Sequence, residues 1–393
     1  MKQYILRTII FFALFGHFTN NIEAQNQAKN ATGTAITYNF GHQYQLQSKI
    51  LGEERQLLIY VPEKYQKSTD KFPVIYLLDG KTHYKHATTT AEILQKKGQI
   101  PASIIVAITN NEGTVMRDFS TKTENYARFL KEEVQLFVAN NFRVNGYRTL
   151  FGHSRPGTFV LETLIKTPKA FDNYISANPI VNEAFVTKFE HFLDHNKNLD
   201  QSLYFSMGGV HDVGPRSVRL MKALSTILTK KAPKTLQWNY QYFPQHVHHT
   251  TPSVTFYEGL ANNFKDFQDP IIGSYKKFVA GNGMDGVKAY FKKRSLKYYT
   301  NEKVTTNTIA GLGFAFMEGN NEKEAVQLVI EVIDEMYPES IHLHRVLGRA
   351  YEKMGSNKLA LKTYKKMLAL AKKQHKPGLD YYEAQIARLK KKQ

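Results

Sequence analysis

Short apolar runs alternate with helical patterns along the first two thirds of the chain, from about residue 37 to 265. The runs have the length of strands, and several are apolar without interruption, which is typical of strands covered on both faces. They are Leu57–Val61, Val74–Leu78, Ile104–Ile108, Arg148–Phe151 and Leu203–Met207. Helical spacing occurs between them in Glu124–Asn140, Thr158–Lys166 and Ser217–Lys230. This alternation predicts an α/β fold with a mostly parallel sheet covered by helices, and Tyr38–Ile50 with Arg55–Tyr60 is expected to form its antiparallel start.

The pattern changes after Asp269-Pro270, where strand signals vanish and lysine-rich helical patterns continue to the end. An internal repeat at about 35 residues favours tetratricopeptide-like helix pairs, which have a period of about 34, over plain helical hairpins. The chain therefore divides into a catalytic domain (25–268), a helical linker (269–302) and a repeat region (303–393) that could bind a protein partner. The matched segments are Leu312-Gly313-Phe314-Ala315-Phe316 with Gly319 and Ala325, and Leu347-Gly348-Arg349-Ala350-Tyr351 with Gly355 and Ala360.

The first 24 residues have the features of a signal peptide. Lys2 and Arg7 precede a short apolar run, residues 8–15, and Ala24 stands before a plausible cleavage point. A membrane anchor needs about 18 or more apolar residues, which neither this run nor any later segment provides. We therefore expect an exported protein, periplasmic or secreted, with no transmembrane segment.

Composition removes several classes of chemistry. The 393 residues include no cysteine, which excludes disulfides, thiolate nucleophiles and thiolate metal sites. The net charge of +19 could attract nucleic acid, anionic membranes or acidic polysaccharides. Much of the excess lies in the predicted helices of the last third, however, and no nucleic-acid motif accompanies it. We expect no nucleic-acid partner.

The segment Gly152-His153-Ser154-Arg155-Pro156-Gly157 joins a predicted strand to a predicted helix. A serine at such a sharp turn is exposed and can attack a carbonyl group. The helix N-terminus offers free amides and partial positive charge, so the amide of Arg155 is a candidate donor to an oxyanion. Pro156 occupies the place of the second glycine in the usual Gly-x-Ser-x-Gly pattern and restricts Arg155. A non-catalytic Gly-His-Ser turn is the alternative interpretation.

A serine nucleophile needs an acid and a base, which follow it in that order in this type of fold. Asp212 lies just after the strand Leu203–Met207 and is the candidate acid, although it could simply cap a helix. The strand Gln237–Phe243 leads into a loop with three histidines, where the base should lie. A metal site at these histidines is less favoured, because no acidic residue is close in the sequence. The three are His246, His248 and His249.

The sequence also resembles a known family. The order of motifs is similar to that of the putative esterase family, which includes esterase D and enterochelin esterases, over most of residues 37–265. Bacterial relatives often carry a tetratricopeptide-like helical tail. The motifs are Pro73-Val74-Ile75-Tyr76-Leu77-Leu78-Asp79-Gly80 with His83, Gly98-Gln99-Ile100-Pro101, Asn110, Arg117-Asp118, Asn141-Phe142-Arg143, Gly152-His153-Ser154 and Tyr257-Glu258-Gly259-Leu260.

The resemblance implies an α/β-hydrolase fold and assigns two further roles. Aligning Pro252 and Gly259 with the family pattern selects His248 as the base, and the loop at Gly80-Lys81 supplies the first oxyanion donor, the amide of Lys81. The segment around Asp212 matches the family weakly.

Taken together, the sequence predicts an exported serine esterase that needs no cofactor or metal ion. Ser154, His248 and Asp212 would form the triad, and Lys81 and Arg155 the oxyanion hole. Candidate substrates are acyl or feruloyl esters of polysaccharides, siderophore esters or small acyl esters. Two alternatives stay open at this point: a degenerate pseudo-hydrolase that acts as a binding module, and an acyltransferase that uses the same serine.

Overall fold

The structure is a computed structural model and describes residues 34–301 and 303–391. The predicted signal peptide, residues 1–24, lies outside these ranges. The chain divides into two units after Phe40, and the described part of the first unit contains neither helix nor strand. In the second unit, the described residues include no helix long and apolar enough to cross a membrane.

One eight-stranded sheet organises the first part of the second unit, with the strand order β1-β2-β4-β3-β5-β6-β7-β8. β1 and β2 are antiparallel, β2 and β4 are antiparallel, and every later pair is parallel. This topology confirms the predicted α/β fold and its antiparallel start. The strands are β1 (His42–Ser48), β2 (Glu53–Tyr60), β3 (Phe72–Leu77), β4 (Ile104–Ile108), β5 (Val144–His153), β6 (Asn173–Ala177), β7 (Ser202–Gly208) and β8 (Gln237–Phe243).

Helices cover both faces of the sheet, which explains why β3, β4, β6 and β7 are buried along their whole length. The helices of this part are α1 (Glu63–Lys67), α2 (Gly80–Lys96), α3 (Thr123–Arg128), α4 (Gln135–Asn141), α5 (Arg155–Lys166), α6 (Glu183–His195), α7 (Val210–Lys231) and α8 (Thr251–Asn263). A π-helical turn, Phe129–Val134, joins α3 to α4. The core on one face includes side chains of α2 and α8, and the core on the other includes side chains of α5, α6 and α7.

The remaining helices form the carboxyl-terminal part, and they have a core of their own. Gly313 shows why this packing needs small residues: a Cβ on it would lie 2.6 Å from Cγ1 of Val346 on a neighbouring helix. The region is helical as predicted, while its assignment to tetratricopeptide repeats stays a prediction. The helices are α9 (Tyr275–Ala280), α10 (Gly283–Tyr298), α11 (Thr306–Glu318), α12 (Glu322–Glu335), α13 (Ile341–Lys353), α14 (Asn357–Lys373) and α15 (Leu379–Lys390).

The predicted linker, residues 269–302, contributes to the core of the sheet domain. Tyr298 is fully buried, and its ring lies 5.2 Å from that of Tyr147 at the start of β5. Arg294 is also buried, and its Nη1 donates to the carbonyl oxygen of Phe267 at 2.6 Å. The domain boundary near 268 stays a prediction, and the side chains that complete this core extend to Tyr298.

Candidate active site

Ser154 occupies a strained position between β5 and α5. Its backbone angles are φ 61° and ψ −123°, a region that residues with a Cβ rarely adopt. The N–H of Ser154 donates to the carbonyl oxygen of Ala177 at 2.9 Å, and its own carbonyl oxygen accepts from the N–H of Thr158 at 3.0 Å. These bonds to β6 and α5 hold the serine at the crest of the turn, where the carboxyl ends of the parallel strands meet.

Two glycines make this turn possible. A Cβ on Gly152 would lie 2.4 Å from the carbonyl oxygen of Pro156, and one on Gly157 would lie 2.9 Å from the carbonyl oxygen of Ala177. Gly157 is therefore a point at which α5 approaches β6 closely. Pro156 is the second residue of α5, a position whose N–H needs no partner within the helix. The turn accommodates this proline, and its effect on catalysis stays a prediction.

The two candidate oxyanion donors lie at helix N-termini that follow neighbouring strands. Lys81 is the second residue of α2, after β3, and Arg155 is the first residue of α5, after β5. Asp79 is the N-cap residue directly before α2, and its backbone is in the left-handed conformation with a φ of 54°. A Cβ on Gly80 would lie 2.9 Å from the carbonyl oxygen of Ile108, so α2 starts close against the end of β4. Both amides thus belong to one edge of the sheet.

The candidate base and acid lie next to each other in the structure. His248 is half-buried in the loop between β8 and α8, and Asp212 is exposed in the first turn of α7. Oδ2 of Asp212 accepts a hydrogen bond from the backbone N–H of His248, not from its imidazole. Within the described ranges, the hydroxyl of Ser154 makes no hydrogen bond. The geometry therefore brings acid and base together, and the three triad roles stay predictions, since such contacts often tighten only with substrate.

Asn178 fixes the position of the base loop, which is the segment 244–250 between β8 and α8 that contains His248. Its Nδ2 donates to the carbonyl oxygen of His248 at 3.0 Å, and its Oδ1 accepts from the N–H of Gly208 at 2.6 Å. The N–H of Gly209 also donates to the carbonyl oxygen of His246 at 2.7 Å. The loop is thus hydrogen-bonded to the end of β7. Across the residues that the structure describes, no three histidine or acidic side chains are arranged to hold a metal ion.

A row of buried histidines lies behind the candidate triad, and the sequence had given none of them a role. The ring of His153 lies 4.5 Å from that of His248, and the ring of His83 lies 5.4 Å from that of His153. Nδ1 of His83 is 3.1 Å from Nε2 of His86. The row joins α2, which carries the candidate donor Lys81, to the end of β5, directly before Ser154, and to the loop that contains His248.

Burial keeps this row neutral. It lowers the pKa of His83 to about 3, with the neighbouring His86 adding to the effect. Burial likewise lowers the pKa of His153 to about 3, with His248 and His83 adding to it. His248 has a lowered pKa too, because burial and then His249 act against its charged form, while Asp212 opposes them. A neutral imidazole at position 248 is the form that can accept a proton.

The free energy of unfolding is expected to fall as the pH is lowered from 7 to 5. His83 and His153 have a pKa of about 3 when folded, against about 6.5 in the unfolded chain. Below pH 6.5 the unfolded chain therefore binds more protons, and stability that is complete above that pH is lost as the pH falls. Each histidine contributes up to about 1.4 kcal/mol per pH unit. Urea unfolding at both pH values measures the loss.

A control distinguishes the contribution of these two histidines to the pH dependence of stability from that of the carboxylates. The double variant His83→Phe with His153→Phe should show a flatter dependence on pH, since phenylalanine fills a similar space without titrating. Phe151→Leu, which alters the packing against His83 without changing a titratable group, should leave the slope unaltered. An identical slope in the double variant would show that the buried histidines do not set the acid sensitivity.

The strand order and the serine turn define the protein as an α/β-hydrolase. The family described as Putative esterase matches residues 48–250, about half of the chain, and the protein belongs to this family. Membership places it among the ester hydrolases and confirms the family resemblance seen in the sequence.

Three relatives show how far the similarity extends. Ferri-bacillibactin esterase BesA of Bacillus subtilis is 30% identical over 165 residues, which cover 34% of this chain and 57% of BesA. An IroE-like serine hydrolase from Shewanella oneidensis is 22% identical with a TM-score of 0.59, and the match covers 73% of this chain and 97% of that one. An uncharacterised protein from Capnocytophaga ochracea is 17% identical with a TM-score of 0.62, over 89% of this chain and 99% of that one. The two solved structures share the fold, and the chain spans little more than half of BesA.

Proposed function

We propose that the protein is an exported serine esterase with Ser154 as its nucleophile. The hydroxyl oxygen of Ser154 attacks the ester carbonyl carbon while His248 takes the hydroxyl proton. The carbon–oxygen bond to the alcohol then breaks, and His248 returns the proton to the departing alcohol. Water, deprotonated by His248, attacks the acyl-enzyme and releases the acid and Ser154.

Three other groups assist in this proposal. The amides of Lys81 and Arg155 stabilise the oxyanion of each tetrahedral intermediate, and the helix N-termini that carry them add partial positive charge. Asp212 orients the imidazole of His248 and stabilises its protonated form. In the free protein this carboxylate binds the backbone N–H of His248, so a rotation of the Asp212 side chain is part of the proposal.

The observation that carries the proposal is the backbone of Ser154. A φ of 61° is strained for serine, and the hydrogen bonds of its own N–H and C=O hold it in that conformation. A serine that only joined a strand to a helix would not require this strain. Gly152 and Gly157 support the same interpretation, since each makes a contact that a Cβ would obstruct.

Siderophore esters are our first choice of substrate. The supporting observation is that one relative is named for the hydrolysis of ferri-bacillibactin. Esters of polysaccharides and small acyl esters are our second choices. The acyltransferase alternative keeps the same acyl-enzyme and differs in the acceptor, an alcohol in place of water.

Covalent labelling tests the proposal against a pseudo-hydrolase that only binds. A fluorophosphonate probe is expected to react with the folded protein at Ser154, because the probe needs an activated serine and an oxyanion hole. Peptide mass spectrometry locates the label, and heat-denatured protein is the control. Absence of label from a folded chain, or label on another serine, would refute Ser154 as the nucleophile and favour the binding module.

A further inference from the structure

Arg155 places a guanidinium group next to the nucleophile turn. Among residues 34–301 and 303–391 its guanidinium forms no ion pair, and the side-chain bond it makes is from Nη1 to Oγ of Ser120 at 3.1 Å. The side chain is half-buried and directly follows Ser154 in the chain. A partly buried arginine without a counterion is ready to bind an anionic group of a ligand, since guanidinium pairs with carboxylates through two parallel bonds.

This guanidinium lines a cavity of about 520 Å³ beside the nucleophile turn. The walls come from α5, the segment after β4 and the segment after β6, and they include Thr158 and Ile180. Thr158 links the cavity to the serine turn, because its Oγ1 donates to the carbonyl oxygen of Ile180 at 2.8 Å and its N–H donates to the carbonyl oxygen of Ser154 at 3.0 Å. The cavity thus adjoins the nucleophile turn through Arg155 and Thr158, which lie one and four residues after Ser154.

The other charges of the cavity are already balanced or lie farther along α5. Arg216 pairs with Glu183 at 2.5 Å, and this bond lowers the pKa of Glu183 to about 2. Glu162 follows Arg155 by seven residues on α5, about 10 Å along the helix axis. Lys166 lies one further turn away and 3.9 Å from Glu124. Of the three cations that line the cavity, Arg155 is thus the one for which the described residues provide no carboxylate partner.

We infer that the esterase prefers esters with a carboxylate or similar anionic group, which Arg155 binds in this cavity. The inference rests on the proposed function and adds the substrate class to it. The competing role for Arg155 is purely structural, with its bond to Ser120 fastening the segment after β4 beside the active site. That role would affect neutral and anionic esters equally, so a ratio of two substrates separates the two roles.

The test compares 4-nitrophenyl butyrate with the 4-nitrophenyl monoester of glutaric acid, which adds a carboxylate to a similar acyl chain. In Arg155→Met, kcat/KM for the anionic ester should fall about ten- to hundred-fold more than for the neutral ester, as expected for a lost bond to a charged group. Arg155→Lys should recover part of the ratio. The change should appear mainly in KM, and high salt should weaken the preference of the wild-type chain.

Controls assign each outcome. Arg128→Met removes an arginine that Glu132 already pairs at 3.1 Å outside the cavity, and it should leave the substrate ratio within two-fold. An equal loss on both esters in Arg155→Met would overturn the inference and leave the esterase proposal standing. If the wild-type chain hydrolyses neither ester, the proposed function fails for them; calorimetric binding of monomethyl glutarate to Ser154→Ala, with and without Arg155→Met, then decides the anion site alone.

Discussion

Ser154→Ala is expected to lower ester hydrolysis at least about a thousand-fold and to abolish the rapid burst of released alcohol. The burst reports formation of the acyl-enzyme, which cannot form without the hydroxyl group, whereas residual turnover needs only the oxyanion donors and bound water. Stopped-flow measurement with 4-nitrophenyl butyrate gives both quantities. Alanine keeps the Cβ of the serine and adds no atom to the turn, so the fold should persist. Circular dichroism can verify this.

A second serine provides the matched control. Ser225 lies on α7, outside the candidate site, and Ser225→Ala should retain the burst and the steady-state rate. Hydrolysis that survives Ser154→Ala with its burst intact would require another nucleophile. That result would remove the central residue of the proposal while leaving the family and fold in place.

His248→Gln is expected to reduce kcat by about a thousand-fold or more, with a much smaller change in KM. Glutamine fills a similar volume and can still pack against His153, but it cannot accept the proton of Ser154. His246→Gln and His249→Gln are the controls, since both lie in the same loop, and each should cost only a few-fold. A large loss in either control, with activity retained in His248→Gln, would move the base to that residue.

The pH profile gives this prediction a second measurement. Burial lowers the pKa of His248 below its usual 6.5. The neutral imidazole is the active form, so kcat/KM should decline only as the pH falls through that lowered pKa, below 6.5. A decline centred above pH 6.5 would contradict the proposal that the half-buried His248 is the base.

The sheet was largely predictable because its strands have clear local signals. Ile104–Ile108 and Gln237–Phe243 were predicted with the bounds that β4 and β8 have, while β2, β3, β5 and β7 differ by a few residues at their ends. β6 was missed, since Asn173–Ala177 includes Asn173 and Ser176 in place of apolar residues. Its identity as a strand comes from pairing with β5 and β7, which are distant in the sequence.

The candidate site was predictable only where its position follows from the order of strands, turns and helices along the chain. The turn at Ser154 follows from a strand, a glycine and a helix in succession, and Asp212 was placed near the base because strand ends converge. The bond from Asp212 to a backbone N–H could not be predicted, because it depends on a side-chain rotation. The histidine row had one overlooked signal: His153 is two residues after buried Phe151, so both lie on the same face of β5.

The hydrogen bonds of Asn178 have an evolutionary consequence. Because Asn178 and Gly209 bind carbonyl oxygens of the loop between β8 and α8, the ends of β6 and β7 set the position of His248, and the loop side chain that adds to this is Thr250, which accepts from the N–H of Val247 at 3.1 Å. Backbone bonds of this kind are indifferent to side-chain identity. Apart from His248 and Thr250, the residues of this loop can therefore diversify without displacing the candidate base, and descendants of this chain could acquire new substrates by mutation there.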